Sequence, residues 1–190
     1  MEKIKNLPAI FLDRDGVINK DIGYFSDPEK LLIPTSSING LRKLNDAGFQ
    51  LVIITNQSGI ARGLLAEKDV QFLHNIIFST LKKYQIYLTG IIYCPHHPTE
   101  GTGEYTIECD CRKPKPGMIM EAARRFNIDL NNSHIIGDRF SDIQAGINAG
   151  LKSSILIKSK HKILEHEIEF ASIYCDDLDQ ASEWILKSNK

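Results

Sequence analysis

Short apolar runs recur along this chain: AIFL at 9–12, QLVIIT at 50–55, GIIYC at 90–94, HIIG at 134–137 and SSILI at 153–157. They are nearly continuous rather than alternating, which suits strands covered on both faces. Stretches with helical spacing lie between them. Ser36 or Ser37 caps a helix with Ile38, Leu41, Leu44 and Ala47 on one face, ended by Gly48. Residues 67–85 place Val70, Leu73, Ile76, Ile77, Leu81 and Tyr84 at helical intervals. Residues 117–127 and 140–149 read as shorter helices, and 178–187 as a C-terminal one. Strand–helix alternation predicts an α/β fold, a doubly wound, Rossmann-like parallel sheet with helices on both faces.

The 190 residues are expected to form a single domain, 1–190, large enough to bury a core. A formal net charge of −1 gives no global field toward nucleic acid or an anionic membrane. The opening MEKIKNLPAIFL lacks the apolar run and cleavage site of a secretory leader, and a cytoplasmic protein is expected. Neither a heptad nor a long apolar surface helix is evident, so the expectation is a monomer. In that compartment the four cysteines are free thiols or metal ligands rather than disulfides.

In open α/β sheets ligands bind beyond the carboxyl ends of the strands. Asp13 and Asp15 follow the first run, Thr55 and Asn56 the second, Gly137, Asp138 and then Asp142 the fourth. A loop after the third carries Arg112 and Lys113. Two carboxylates one residue apart repel, and each resists ionising beside the other, unless a cation joins them. Oxygen-only donors suit Mg²⁺. The set has a chemical reading: Asp13 attacks phosphorus, Asp15 protonates the leaving alcohol and later activates water, and Thr55 and Lys113 stabilise the transferring group. Asp138 joins Asp13 in holding the metal. Taken singly, these residues are also turn formers, helix caps, strand residues or surface lysines; the conjunction on one rim carries the reading.

The segment 94–116 breaks the strand–helix rhythm. Cys94 and His96 form one close pair, Cys109 and Cys111 another, and residues 97–108 separate them. A closed Cys₃His set is a normal structural zinc site with no open coordination position. Packed reduced thiols and a redox Cys-x-Cys pair fit the same spacing; the scarcity of apolar residues to hold the loop favours zinc. His97 is either a substitute ligand or a solvated turn residue. Cys175 reads as an ordinary buried thiol, and 158–169 as a solvated loop or edge with no assigned role.

DRDGVIN, TNQSG, RKPKPG and GDRFSD, in that order, resemble the motifs of the haloacid dehalogenase (HAD) phosphotransferase superfamily. The resemblance implies a HAD-like fold in which Asp13 is the nucleophile, Asp15 the general acid/base, and Thr55 and Lys113 the phosphoryl stabilisers. It places Mg²⁺ on Asp13, the main-chain carbonyl of Asp15, and Asp138. The insertion that builds a separate cap domain in many members is missing, so an open site is expected. TNQSGIARG, CPHHP and CDCRKPKPGM are similar to the family that removes the 7-phosphate of D-glycero-D-manno-heptose 1,7-bisphosphate. Histidinol-phosphate phosphatases share the zinc pattern but differ after TNQ; a non-enzymatic phospho-acceptor domain would need no Asp15. The heptose resemblance implies that Arg14, Asp21, Ile22, Gly23, Tyr24, Asn56, Gln57, Ser58, Arg112 and Arg139 bind the sugar bisphosphate. Arg112 is expected at its second anionic group, since its planar fork suits phosphate. The sequence departs from better-known members at Arg139, where lysine is expected, and at Val17, where threonine is commoner. The product would feed nucleotide-activated heptose synthesis, including that for lipopolysaccharide.

Overall fold

A computed structural model describes residues 6–101 and 103–189. Six strands form one parallel sheet: β1 (Ala9–Leu12), β2 (Gln50–Asn56), β3 (Leu88–Cys94), β4 (His134–Gly137), β5 (Ser153–Ile157) and β6 (Ile173–Cys175), in the order β3-β2-β1-β4-β5-β6. The helices are α1 (Thr35–Asp46), α2 (Glu67–Lys83), α3 (Gly117–Phe126), α4 (Phe140–Asn148), α5 (Glu165–Ile168) and α6 (Leu178–Ser188). This is the doubly wound order, with the connection reversing direction between β1 and β4.

The unbroken apolar runs follow from this layering. Ile10 and Leu12 of β1 pack into one core cluster with α1, α2 and α6, through Leu41, Leu44, Ile77, Leu81, Ala181 and Ile185. Ala9 and Phe11 enter a second cluster with α3 and α4, through Met118, Ile119, Ala122 and Ala145. Successive side chains point to opposite faces of a strand, and here both faces are dry. All four residues of β1 are 0% exposed, so none has to be polar.

Two local expectations are corrected. No serine caps α1: Pro34 stands at the N-cap without a side-chain bond, and Ser37, inside the first turn, donates to Val17 O at 2.7 Å. Proline's fixed φ suits entry into a helix, and the serine is used to tie the loop after β1 to the helix. Second, the stretch 158–169, read as a solvated loop or edge, includes the short helix α5, and beyond it lies an edge strand, β6, that was not among the apolar runs. Three residues with Tyr174 42% exposed are too few to show a strand pattern. Among the described residues, no helix is long and apolar enough to cross a membrane. The segment between β1 and α1 forms only turns and bends, one isolated bridge (Asp15 with Asn19) and a 3-10 turn at Pro28–Lys30, so it builds no separate cap domain.

Candidate active site

A cavity of about 440 Å³ opens at the carboxyl ends of the strands. Its floor lies where the strand order reverses, with Asp13 just past β1 lining it and Asp138, just past β4, buried and outside the lining. Asp13 N donates to Ile136 O of β4 at 3.1 Å, so the backbone that carries the first carboxylate is fixed by the strand preceding the other.

Beyond Asp13 the chain turns sharply. Arg14 O accepts from Ile18 N and Asn19 N, and Gly16 N donates to Asn19 O at 2.7 Å. Gly16 has φ +90, and a Cβ there would stand 2.1 Å from Asp138 Oδ2. Only glycine permits that conformation and that approach together. Gly137 is constrained on the other side: its Cβ would meet the Asp142 side chain at 2.1 Å.

Lys113 is the centre of the floor. Its Nζ lies 2.8 Å from Asp13 Oδ1, 2.6 Å from Asp142 Oδ1 and 2.8 Å from Ile54 O, and the residue is 4% exposed. Burial works against its charge, but Asp13 and Asp142 outweigh burial and raise its pKa. Asp142 also accepts from Arg139 N at 3.0 Å, as N3 of α4. This carboxylate had no assigned role in the sequence, since an acidic N3 residue is a common helix-start feature.

Asp13, Asp138 and Asp142 bring carboxylate oxygens within 4.8 Å of one another. Burial, opposed by Lys113 and aided by Asp142, pushes Asp13 up to about 6. Burial, with Asp13 and Asp142 adding to it, pushes Asp138 up to about 8. Among the described residues neither side-chain oxygen of Asp138 has a hydrogen-bond partner, although the residue is 0% exposed. Buried carboxylates are normally paired or on a metal. Three carboxylates against one ammonium leave two negative charges, which one divalent cation cancels. The donor set therefore fits Mg²⁺.

Asp15 is gripped from three sides. Arg14 Nη2 and Nε reach it at 2.7 and 3.2 Å, Asn19 Nδ2 at 2.9 Å and Gln57 Nε2 at 3.1 Å. Gln57 also donates to Thr55 Oγ1 at 2.9 Å. Arg14 is only 2% exposed and its other arm meets His74 Nε2 at 3.2 Å. Arginine can only donate, so Nε2 accepts and the ring proton sits on Nδ1. Burial, then Arg14, lowers the His74 pKa to about 3, keeping the ring neutral. His74 sits mid-helix on α2 and its spacing reads as core, so nothing local signals this contact.

The remaining residues singled out in the sequence divide by what they touch. Arg14, Asp21, Gly23, Tyr24, Asn56, Gln57, Ser58, Arg112 and Arg139 line the cavity, whereas Ile22 is 48% exposed and does not line it. Tyr24 Oη lies 3.1 Å from Ser58 Oγ. Asn56 clamps the Lys113 backbone with two 3.1 Å bonds. Arg112 Nη1 donates to His96 O at 3.0 Å. Lys160 and His161, from the stretch without an assigned role, also line the cavity.

The cysteine loop gathers Cys94, His96, Cys109 and Cys111 within 4.8 Å. The sulfur–sulfur separations are 3.6 Å for Cys94–Cys109 and 3.3 Å for Cys111–Cys109, and His96 Nδ1 lies 3.8 Å from Cys94 Sγ and 3.4 Å from Cys111 Sγ. Zinc–ligand bonds of about 2.0–2.3 Å make tetrahedral edges of roughly 3.5–3.8 Å, so the set fits a zinc ion. His97 is elsewhere: its Nδ1 accepts from Glu100 N at 2.8 Å.

A family described as HAD-hydrolase-like matches residues 110–181. D-glycero-beta-D-manno-heptose-1,7-bisphosphate 7-phosphatase of Pasteurella multocida is 46% identical over 157 residues, 83% of this chain and 85% of that relative. The corresponding alpha-named phosphatase of Photorhabdus laumondii is 43% identical, over 84% of this chain and 87% of that relative. The crystal structure of D,D-heptose 1,7-bisphosphate phosphatase from B. bronchiseptica, complexed with magnesium and phosphate, superposes with a TM-score of 0.79. Its identity is 30%, over 96% of this chain and 99% of that one.

The carboxylate floor predicts how stability responds to pH. Without metal, Asp13 and Asp138 titrate near 6 and 8, above the ordinary 3.8, so the folded state holds the extra protons. Their contribution is full below about pH 4 and is lost as pH rises through both folded values. The Tm of metal-free protein should fall over that window, and Mg²⁺ should raise Tm more at about pH 8 than at about pH 5. A Tm at the higher pH that ignores Mg²⁺ would contradict the site.

Proposed function

This chain belongs to the HAD-like hydrolases, in the family of heptose-1,7-bisphosphate 7-phosphatases, and from that premise we propose that it is a Mg²⁺-dependent phosphatase acting on the 7-phosphate of D-glycero-D-manno-heptose 1,7-bisphosphate. The observation that carries the proposal is the buried Asp13–Lys113 pair beside an Asp138 whose oxygens lack partners. Asp13, Asp138 and the main-chain carbonyl of Asp15 would hold Mg²⁺. Bound there, the ion offsets repulsion between the anionic substrate and the carboxylates.

The chain's own groups supply the steps. An oxygen of Asp13 forms a bond to phosphorus while the bond from phosphorus to the C7 oxygen breaks. Asp15, oriented by Arg14, Asn19 and Gln57, gives its proton to that leaving oxygen, and the sugar departs as an alcohol. Asp15, now a carboxylate, takes a proton from water as the water oxygen bonds to phosphorus. The aspartyl–phosphate bond breaks, phosphate leaves and Asp13 is restored. Lys113 and the Thr55 hydroxyl face the equatorial oxygens, where charge is stabilised in a dry site.

A structural zinc on Cys94, His96, Cys109 and Cys111 is part of the proposal, supported by the tetrahedral separations and by sulfur-rich donors. The proposal keeps residues 1–190 as one domain and the protein as a cytoplasmic monomer without nucleic-acid or membrane partners, from the sequence pattern. The relatives carry both anomeric names, so phosphate release from the α and β bisphosphates, beside histidinol phosphate, is the direct assay. Turnover of either bisphosphate well above histidinol phosphate is expected; the reverse order would overturn the substrate assignment.

Arg112 tests the second anionic group. Arg112→Ala should raise KM for the bisphosphate roughly ten- to hundredfold, the worth of one charge-assisted contact, and raise it less for a one-phosphate ester. Equal effects on both would place Arg112 at the transferring phosphoryl instead. The zinc site predicts that purified protein carries about one zinc per chain through an EDTA wash that removes Mg²⁺. Cys111→Ser should lose that zinc and most activity, because Arg112 and Lys113 follow directly. Zinc-free, fully active wild type would end the assignment.

A further inference from the structure

Past β5 the chain folds back over the cavity mouth and brings Lys160 and His161 onto Asp21. Lys160 Nζ lies 3.0 Å from Asp21 Oδ1, and His161 Nε2 lies 2.8 Å from Asp21 Oδ2. Arg139 Nη2 approaches the same Oδ2 at 3.5 Å, and Gly23 N donates to Oδ1 at 2.9 Å. The carboxylate lies beneath its partners: the Asp21 side chain is 11% exposed, those of Lys160 and Arg139 51% and 52%. Burial opposes its charge, but the Gly23 N–H, Lys160 and His161 prevail and hold Asp21 down at about 2. One carboxylate thus faces two permanent cations and an imidazole, and the cluster carries net positive charge.

One contact in the cluster competes with another. His161 Nε2 lies 2.8 Å from Asp21 Oδ2 but also 2.7 Å from Arg139 Nη2. A protonated nitrogen serves the carboxylate and opposes the guanidinium; a bare one does the reverse. Both cannot be hydrogen bonds at once. An anion that takes the Arg139 fork removes the conflict and leaves the His161 N–H to Asp21. The ammonium of Lys160 has three donors, and with half of its side chain open it keeps donors for an incoming oxyanion.

We propose that Lys160 and His161 join Arg139 and the Arg112 of the reading above as the receptor for the phosphate of the substrate that is not transferred, with Asp21 as the residue that positions Lys160, His161 and Arg139. This rests on the bisphosphate reading above. The transferred phosphoryl belongs at the floor, beside Asp13, Thr55 and Lys113, which are 7%, 1% and 4% exposed. The Lys160 cluster stands at the mouth of the same cavity, where a second anionic group of an extended substrate would lie. Guanidinium and ammonium groups are the usual partners of a phosphate ester.

The test is the ratio of kcat/KM on the heptose bisphosphate to that on p-nitrophenyl phosphate, which has one phosphate. Wild type should favour the bisphosphate. Lys160→Ala and His161→Ala should each lower the ratio about tenfold, the lower end for a charge-assisted contact at a half-open position. The change should lie in KM for the bisphosphate, Lys160→Arg should restore most of the ratio, and Tm should stay near wild type. An unchanged ratio, or equal losses on both substrates, overturns the role of these residues while leaving the function intact. A wild type with no preference for the bisphosphate overturns the substrate reading and this receptor with it.

Discussion

The ammonium of Lys113 holds the site together. It is delivered by the cysteine loop, is buried, and bonds to the Asp13 carboxylate after β1, to the last apolar carbonyl of β2 and to the Asp142 carboxylate at the start of α4. A buried charge costs several kcal/mol of desolvation unless its partners satisfy it. Three oxygens within 2.8 Å do so here. The same contacts bring the ends of β1 and β2 and the start of α4 to one point. Lys113 therefore links the fold to the chemistry: sheet order places the carboxylates together, and the lysine makes their proximity tolerable.

The two clusters of candidate metal ligands bear on this contact in different ways. The sulfur-rich clip precedes Arg112 and Lys113 directly, so it fixes where the lysine enters, while Asn56 pins the lysine backbone from β2. The oxygen site needs the divalent ion because one ammonium leaves the carboxylate floor short of positive charge. Asp15 stands outside that floor. Its oxygens go to Arg14, Asn19 and Gln57, which suits the proton-transfer role proposed for it, as the contact with Lys113 suits the phosphoryl-accepting role proposed for Asp13. Neutral His74 braces Arg14 from behind. The division of labour between two carboxylates so close in sequence thus comes from their neighbours.

Much of this was legible in the sequence because strand ends in a parallel sheet share one rim. The apolar runs set the sheet, and Asp13, Thr55 and Asp138 follow from reading the polar residue at or just past each end. The cysteine spacing likewise marked the four side chains that the loop brings together. What escaped is long-range. His74 lies on a helix face that reads as core, and only the folded chain puts it against Arg14. Asp142 looks like a helix-start carboxylate and is one, yet its other oxygen meets Lys113. Lys160 and His161 follow β5 in a stretch without periodicity, so its return over the cavity left no local signature. Pro34 at the start of α1 shows the same limit on a smaller scale: the nearby serines read as caps, but Ser37 was needed by Val17 O.

The central claim is that Asp13, held by Lys113, is the group that accepts the phosphoryl. Its most direct test is rapid acid quench of the enzyme turning over the heptose bisphosphate with Mg²⁺, followed by peptide mass analysis. The Asp15→Asn variant should be run beside wild type on p-nitrophenyl phosphate, whose leaving group departs without a proton from Asp15, so that losing the group that activates water lets the intermediate build up. One phosphoryl group is expected on the peptide containing Asp13, more abundant in Asp15→Asn and absent from Asp13→Asn. A phosphoryl group found on another residue, or an active Asp13→Asn enzyme, would contradict it.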